Sequence, residues 1–259
     1  MIEFEKLDES SRRELLKSIL KGTAAVSVAL LYPLPGFSSQ WDKEKDGQGE
    51  KKETNYVYIV DISRCIGCGR CVEACCVENQ VPADFFRTWV ERYLITIGNT
   101  VYTDSPGGGR NGFQERKLPE EINKGFFVPK LCNHCDHTPC VQVCPVAASY
   151  KSPENFVLVD KKRCIGCGYC VQACPYGSRY LSPKDHVADK CTWCYHRIKK
   201  GLRNACVQAC PRKARIFGDL NDKTSEVSQI VKRENLMVLK PNLLTHPRTL
   251  YNHLSAEVV

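Results

Sequence analysis

Asp61–Cys75 reads DISRCIGCGRCVEAC, and Asp160–Cys174 reads DKKRCIGCGYCVQAC. Eleven of the fifteen positions are identical at a constant offset of 99 residues. Each copy follows a short β-branched or aromatic run, Tyr56–Val60 and Phe156–Val159, which reads as a strand. The ending of the unit recurs twice more: Cys140-Val-Gln-Val-Cys144-Pro145 and Cys206-Val-Gln-Ala-Cys210-Pro211 match Cys170-Val-Gln-Ala-Cys174-Pro175. One unit has been used four times, and such repetition decides the fold.

Working outward, sixteen of the seventeen cysteines fall into four groups. Group I is Cys65, Cys68, Cys71 and Cys75. Group II is Cys132, Cys135, Cys140 and Cys144. Group III is Cys164, Cys167, Cys170 and Cys174. Group IV is Cys191, Cys194, Cys206 and Cys210. In C-x2-C-x2-C, successive thiolates converge on one 4Fe–4S cluster. The following three-residue step starts a short helix and turns the fourth cysteine toward a neighbouring cluster. Gly67, Gly69, Gly166 and Gly168 give those loops the backbone freedom to approach a cluster. Zinc is the rival metal, but it takes two well-separated pairs per site, and here a third cysteine arrives two residues later in two groups. An odd cysteine count excludes complete disulfide pairing. The extra cysteine, Cys76, reads as a small buried apolar residue.

The net charge of +8 at first suggests an anionic partner. Four cluster sites of about −2 each bring the loaded protein close to neutral, so the basic excess offsets cofactor charge. Lys and Arg form no stripe, and no nucleic acid is expected. His134, His137 and His196 lie beside ligands and read as polar packing or sulfur hydrogen bonding. Trp193 and Tyr169 read as shields against water. Gly107-Gly108-Gly109-Arg110 lacks the strand, helix and lysine of a phosphate loop, and reads as the tip of an insertion.

Ser11-Arg12-Arg13-Glu14-Leu15-Leu16-Lys17 precedes a weakly apolar segment that carries no charge from Gly22 to Trp41. This is the twin-arginine export pattern, a route that carries proteins already folded around cofactors. Pro33 and Pro35 make the segment a poor membrane span. The organisation expected is a signal segment over 1–37 and a polar linker over 38–55. An insertion loop is expected at 98–125, and a C-terminal extension over 219–259, with little regular structure after Pro241. The fold class is α+β. The location expected is the periplasm or the outer face of the cytoplasmic membrane.

With these motifs in place, the chain resembles the iron–sulfur subunits of complex iron–sulfur molybdoenzymes and of related quinone-linked respiratory complexes. The resemblance runs from about Tyr56 to about Tyr251, includes Glu78–Pro82, Arg87–Val90, Leu131–Asp136, Ala188–Cys191 and Val238–Pro241, and is nearest to the tetrathionate, polysulfide and nitrite-linked branches. It implies four 4Fe–4S clusters with exchanged fourth ligands: Cys65, Cys68, Cys71 with Cys210; Cys191, Cys194, Cys206 with Cys75; Cys132, Cys135, Cys140 with Cys174; and Cys164, Cys167, Cys170 with Cys144. Spacing alone supports an exchange without fixing the partners. The wiring so implied makes two bacterial-ferredoxin-like units, a first over 56–97 plus 186–218 with groups I and IV, and a second over 126–185 with groups II and III inserted in it. The resemblance also implies an electron-transfer subunit with no catalytic site of its own. It would work between a quinone-interacting integral membrane subunit and a catalytic subunit carrying molybdopterin or multiple hemes. A stand-alone redox enzyme with a substrate-binding cluster is the alternative, and it would require a missing cysteine.

Overall fold

The computed structural model describes residues 54–258; the expected signal segment and nearly all of the linker lie outside them. In chain order the strands are β1 (Tyr56–Asp61), β2 (Thr88–Thr96), β3 (Val101–Asp104), β4 (Ile122–Leu131), β5 (Ser149–Lys151), β6 (Val157–Val159), β7 (Arg179–Leu181), β8 (Ala188–Lys190), β9 (Arg215–Asp219) and β10 (Thr249–Asn252). The helices are α1 (Arg70–Asn79), α2 (Pro139–Gln142), α3 (Tyr169–Gln172), α4 (Tyr195–Ile198), α5 (Ala205–Gln208) and α6 (Glu226–Arg233).

β1 is the centre of a three-stranded sheet, antiparallel to β9 and parallel to β10. Its run Tyr-Val-Tyr-Ile-Val is apolar on both faces because both are covered. Tyr58 and Val60 join the main core with Val72, Leu131, Phe156, Trp193 and Tyr251. Val57 and Ile59 meet Ile216, Val227 and Ile230 on the other side, where α6 lays its apolar stripe. Ser225 caps α6 by accepting from the Ser228 amide. Strand β10 corrects the expectation that little regular structure follows Pro241.

Residues 98–125 are also more ordered than a loop. β2 pairs with β3 and, over its full length, with β4, so the segment builds the end of a second sheet. Arg92 fixes it: Nε and Nη2 bond Asp104 at 2.9 and 2.6 Å, and Nη1 bonds the Gln114 carbonyl. The turn at Pro106–Gly109 then brings the Gly109–Arg110 backbone against Gly69 in the group I loop. Two hairpins, β5–β6 and β7–β8, carry the group II and III regions. Helix α1 of group I packs on α5 of group IV, and α2 of group II on α3 of group III. Among the described residues no helix is long and apolar enough to cross a membrane.

Candidate functional site

Each cysteine group ends in a helix, and the helix pairs decide which groups meet. With α1 against α5, the sulfurs of groups I and IV interleave. Cys65, Cys68, Cys71 and Cys210 line one cavity. Burial pushes the Cys65 thiol up to about 11, with Cys71 and Cys210 adding to the rise. Cys75, which ends group I by sequence, faces the other way. Burial raises it, and its sulfur neighbours are Cys191, Cys206 and Cys194. Groups II and III repeat the exchange in part: burial carries Cys135 to about 12, with contributions from Cys132, Cys140 and Cys174. None of the seventeen cysteines is in a disulfide.

Sulfurs also meet between sets. Cys71 is raised by burial and by Cys206 of the second set. Cys191, driven up by burial, is raised further by Cys206 and by Cys132 of the third set. Sulfur neighbours therefore run from the Cys65 set to the Cys75 set and on to the Cys132 set. In the two Ile-Gly-Cys loops Cys68 and Cys167 are exposed, beside Ile66 at 54% and Ile165 at 65% exposure, whereas Cys132, Cys191, Cys194 and Cys206 are buried and Cys135, Cys140 and Cys174 half-buried.

The residues present fit iron–sulfur clusters in three respects. Backbone amides point at sulfur: Ala214 to Cys210 at 3.2 Å, and Ser149 to Cys144, Ala188 to Cys164 and Trp193 to Cys191, each at 3.4 Å. Such bonds stabilise thiolate and tune cluster potential. Despite the opposing effect of burial, the amides of Ser149, Val146 and Ala148 hold the Cys144 thiol below its ordinary value. Second, the guanidinium of Arg215 is buried at 2% exposure with no hydrogen bond from any of its nitrogens. A buried cation of that kind requires an anion, and it lines the cavity of Cys65, Cys71 and Cys210. Third, Cys65, Cys68, Cys71 and Cys210 line one shared space, which suits a multi-iron core.

Glycine sets the loop conformation. Gly69 has φ +71°, and a Cβ there would lie 2.2 Å from the Arg110 carbonyl oxygen. Gly168 has φ +78°, but its Cβ would meet only Leu181 Cδ1, at 3.7 Å. Gly69→Ala is therefore expected to lose the cluster of the Cys65 set. Gly168→Ala is expected to keep its cluster at a conformational cost of about 1–2 kcal/mol. Iron content and the EPR spectrum of the two variants check this contrast.

The flanking residues sort differently from their sequence reading. His134 is packing: Nδ1 accepts from the Val157 amide at 3.0 Å, so Nε2–H donates to the Cys191 carbonyl at 3.1 Å. Burial holds it neutral, and its ring stacks on Trp193 at 4.1 Å. Trp193 is buried, whereas Tyr169 is 58% exposed. Cys76 lies in the main core. His137 bonds the Leu244 carbonyl and His196 the Glu78 carboxylate. The residues that sequence missed are Arg215, Lys190 and Arg179, three cations buried beside the sulfurs.

Comparison with known proteins agrees with this chemistry. The 4Fe-4S dicluster domain family matches residues 123–220, and the 4Fe-4S binding domain family matches 58–75. The B subunit of tetrathionate reductase from Salmonella typhimurium is 39% identical over 245 residues, covering 94% of this chain and 88% of the relative. Its namesake from Archaeoglobus fulgidus is 42% identical over 226 residues, covering 87% and 95%. The Hdr-like menaquinol oxidoreductase iron–sulfur subunit 1 of Archaeoglobus fulgidus is 35% identical over 289 aligned positions, covering 95% and 99%.

Proposed function

The chain belongs to the family of iron–sulfur subunits that serve tetrathionate reductase and related oxidoreductase complexes, and on that premise we propose that it relays electrons through four 4Fe–4S clusters inside a respiratory complex. The observation that carries the reading is the run of sulfur neighbours that joins Cys71 to Cys206 and Cys191 to Cys132, with Cys68 and Cys167 exposed. Bound clusters supply one-electron transfer without proton chemistry. Cys65, Cys68, Cys71 and Cys210 hold the first. Cys75, Cys191, Cys194 and Cys206 hold the second, and Cys132, Cys135, Cys140 and Cys174 the third. Cys144, Cys164, Cys167 and Cys170 hold the fourth. The helix pairs α1–α5 and α2–α3 support this exchange, and with it a groups II–III unit inserted between groups I and IV.

One exposed end meets a catalytic subunit carrying molybdopterin or multiple hemes, and the other a quinone-interacting membrane subunit. The menaquinol relative's name supports the quinone side. The Ser11–Lys17 motif supports twin-arginine export and an outer-face location. With four thiolates per site, no iron is left open for substrate, so the chain has no turnover of its own.

The test is anaerobic purification of the full chain. About sixteen irons and sixteen acid-labile sulfides per chain are expected, from four irons and four sulfides per cluster. Dithionite should reduce the clusters reversibly, and tetrathionate, DMSO or nitrite should not be consumed by the chain alone. Stoichiometric zinc without iron, or turnover by the isolated chain, overturns the reading.

A further inference from the structure

Buried charge in this protein is paired almost everywhere. Among the described residues, Arg87 and Asp189 pair with each other, Arg92 with Asp104, and Asp61 with Arg64. The remaining buried charges are all cations: Arg215 at 2%, Lys190 at 1% and Arg179 at 5% exposure. None of the three has a carboxylate oxygen within 4.0 Å among the described residues. What surrounds them is sulfur.

Each of the three stands at a different junction in the line of sulfur sets. Arg215 lies among Cys71 of the first set and Cys206 of the second. Tyr58, also beside it, shares a hydrogen bond of 3.1 Å with Cys206 Sγ. Lys190 lies among Cys132 and Cys140 of the third set and Cys191 of the second, and its Nζ donates to the Cys191 carbonyl at 2.7 Å. Arg179 donates from Nη2 to Cys140 Sγ at 3.0 Å and also faces Cys132 and Cys170, so it spans the third and fourth sets. Its Nη1 bonds Ser149 Oγ, and its Nε has no partner. Arg179 and Lys190 even sit directly opposite each other across the β7–β8 hairpin. Two like charges in that register repel, and in a dry interior the arrangement is stable only beside compensating negative charge.

We propose that Arg215, Lys190 and Arg179 are positioning residues for electron transfer, one at each junction. Each offsets the negative charge that an electron on one cluster imposes on its neighbour. The proposal rests on the four cluster sets proposed above. A cluster with four thiolates carries about −2 when oxidised and gains another unit on reduction. Adjacent clusters in a low-dielectric interior therefore make each other harder to reduce. A fixed cation between them raises both potentials and so offsets the mutual lowering. Charge placement beside the sulfurs is one of the protein's means of setting potential.

The test is an EPR-monitored redox titration of holoprotein carrying Arg215→Gln or Arg179→Gln. Each variant is expected to lower two of the four potentials by at least tenfold in the reduction equilibrium, about 59 mV per electron. The two pairs should be complementary: Arg215→Gln moves the first and second clusters, Arg179→Gln the third and fourth. Arg215→Lys, which keeps the charge, should recover most of the shift. Uniform shifts over all clusters, the same pair moving in both variants, or Arg215→Lys behaving like Arg215→Gln would overturn the proposal. If the Gln variants take up fewer clusters, the wild-type chain labelled with ¹⁵N in its arginine side chains decides. Pulsed EPR is then expected to show ¹⁵N couplings at the reduced clusters, and their absence overturns it. Iron and sulfide content of the same wild-type samples separates the two readings. Four clusters with unmoved potentials sinks the charge role alone, whereas an iron-free chain sinks the cluster assignment beneath it.

Discussion

In a Cys210→Ser variant, the cluster lost is expected to be that of group I, not that of Cys210's own group IV. The argument is geometric. Cys210 lies after α5, and α5 packs on α1. That contact turns Cys210 into the cavity of Cys65, Cys68 and Cys71, while Cys191, Cys194 and Cys206 gather around Cys75. A serine oxygen is a harder and much less acidic ligand than a thiolate, so one corner of the cluster loses its anchor. The loss should reach about four of sixteen irons when the whole cluster goes, or about one when only the unanchored iron leaves. Three variants identify which cluster it is. The EPR spectrum of Cys210→Ser should match that of Cys65→Ser and differ from that of Cys206→Ser. The reciprocal Cys75→Ser should match Cys206→Ser. A match between Cys210→Ser and Cys206→Ser would mean that each motif closes on its own cluster. Since the first set stands at one end of the line, the intact complex should lose nearly all electron flow through that end while its other clusters remain reducible.

The four cysteine groups were legible in the sequence because metal ligation leaves exact spacings, whereas the partner of each fourth cysteine came only from the family resemblance; the strand runs at Tyr56–Val60 and Phe156–Val159 were legible because both precede a copy of the motif. The fold around them was less so. Strand β10 is four residues, Thr249–Asn252, and its partner β1 begins nearly two hundred residues earlier. Its pairing is non-local, so no local pattern announces it. Residues 98–125 read as a loop because glycine and charge dominate them, yet β2 supplies an apolar surface on which β3 and β4 register. The buried cations were missed for a different reason: Lys and Arg are ordinarily solvated. A signal existed for Arg215, since the alternation of β9 places it on the same face as Phe217, a core contact. For Lys190 the only cue was its adjacency to Cys191.

Asp189→Leu should destabilise the holoprotein by about 3–5 kcal/mol, because it leaves Arg87 buried without an anion. Arg87 gives Asp189 two hydrogen bonds to Oδ2, at 3.1 Å from Nε and 3.0 Å from Nη2. Tyr180 adds a third at 2.8 Å. From the other side of the guanidinium, Nη1 bonds Asn79 Oδ1 at 2.8 Å, and Asn79 in turn bonds the Cys75 carbonyl at 2.9 Å. Asp189 stands two residues before Cys191 and Asn79 one helical turn after Cys75. The network therefore clasps the two chain segments that contribute sulfur to the second set. Breaking it removes ion-pair energy and also frees Cys75 relative to Cys191. Anaerobic guanidinium denaturation, followed by cluster absorbance, measures the first effect, and the EPR linewidth of the second cluster the second. The double variant Arg87→Met/Asp189→Leu discriminates between them. Replacing both charges by apolar groups should return most of the lost stability, since no unpaired charge remains. If linewidth recovers as well, the pair matters only as charge balance. If stability returns while the signal stays broad, the network is what holds Cys75 and Cys191 in one fixed arrangement. The hydrogen bonds through Asn79 favour that second outcome, because an apolar pair at 87 and 189 takes from Asn79 Oδ1 the donor it has in Arg87.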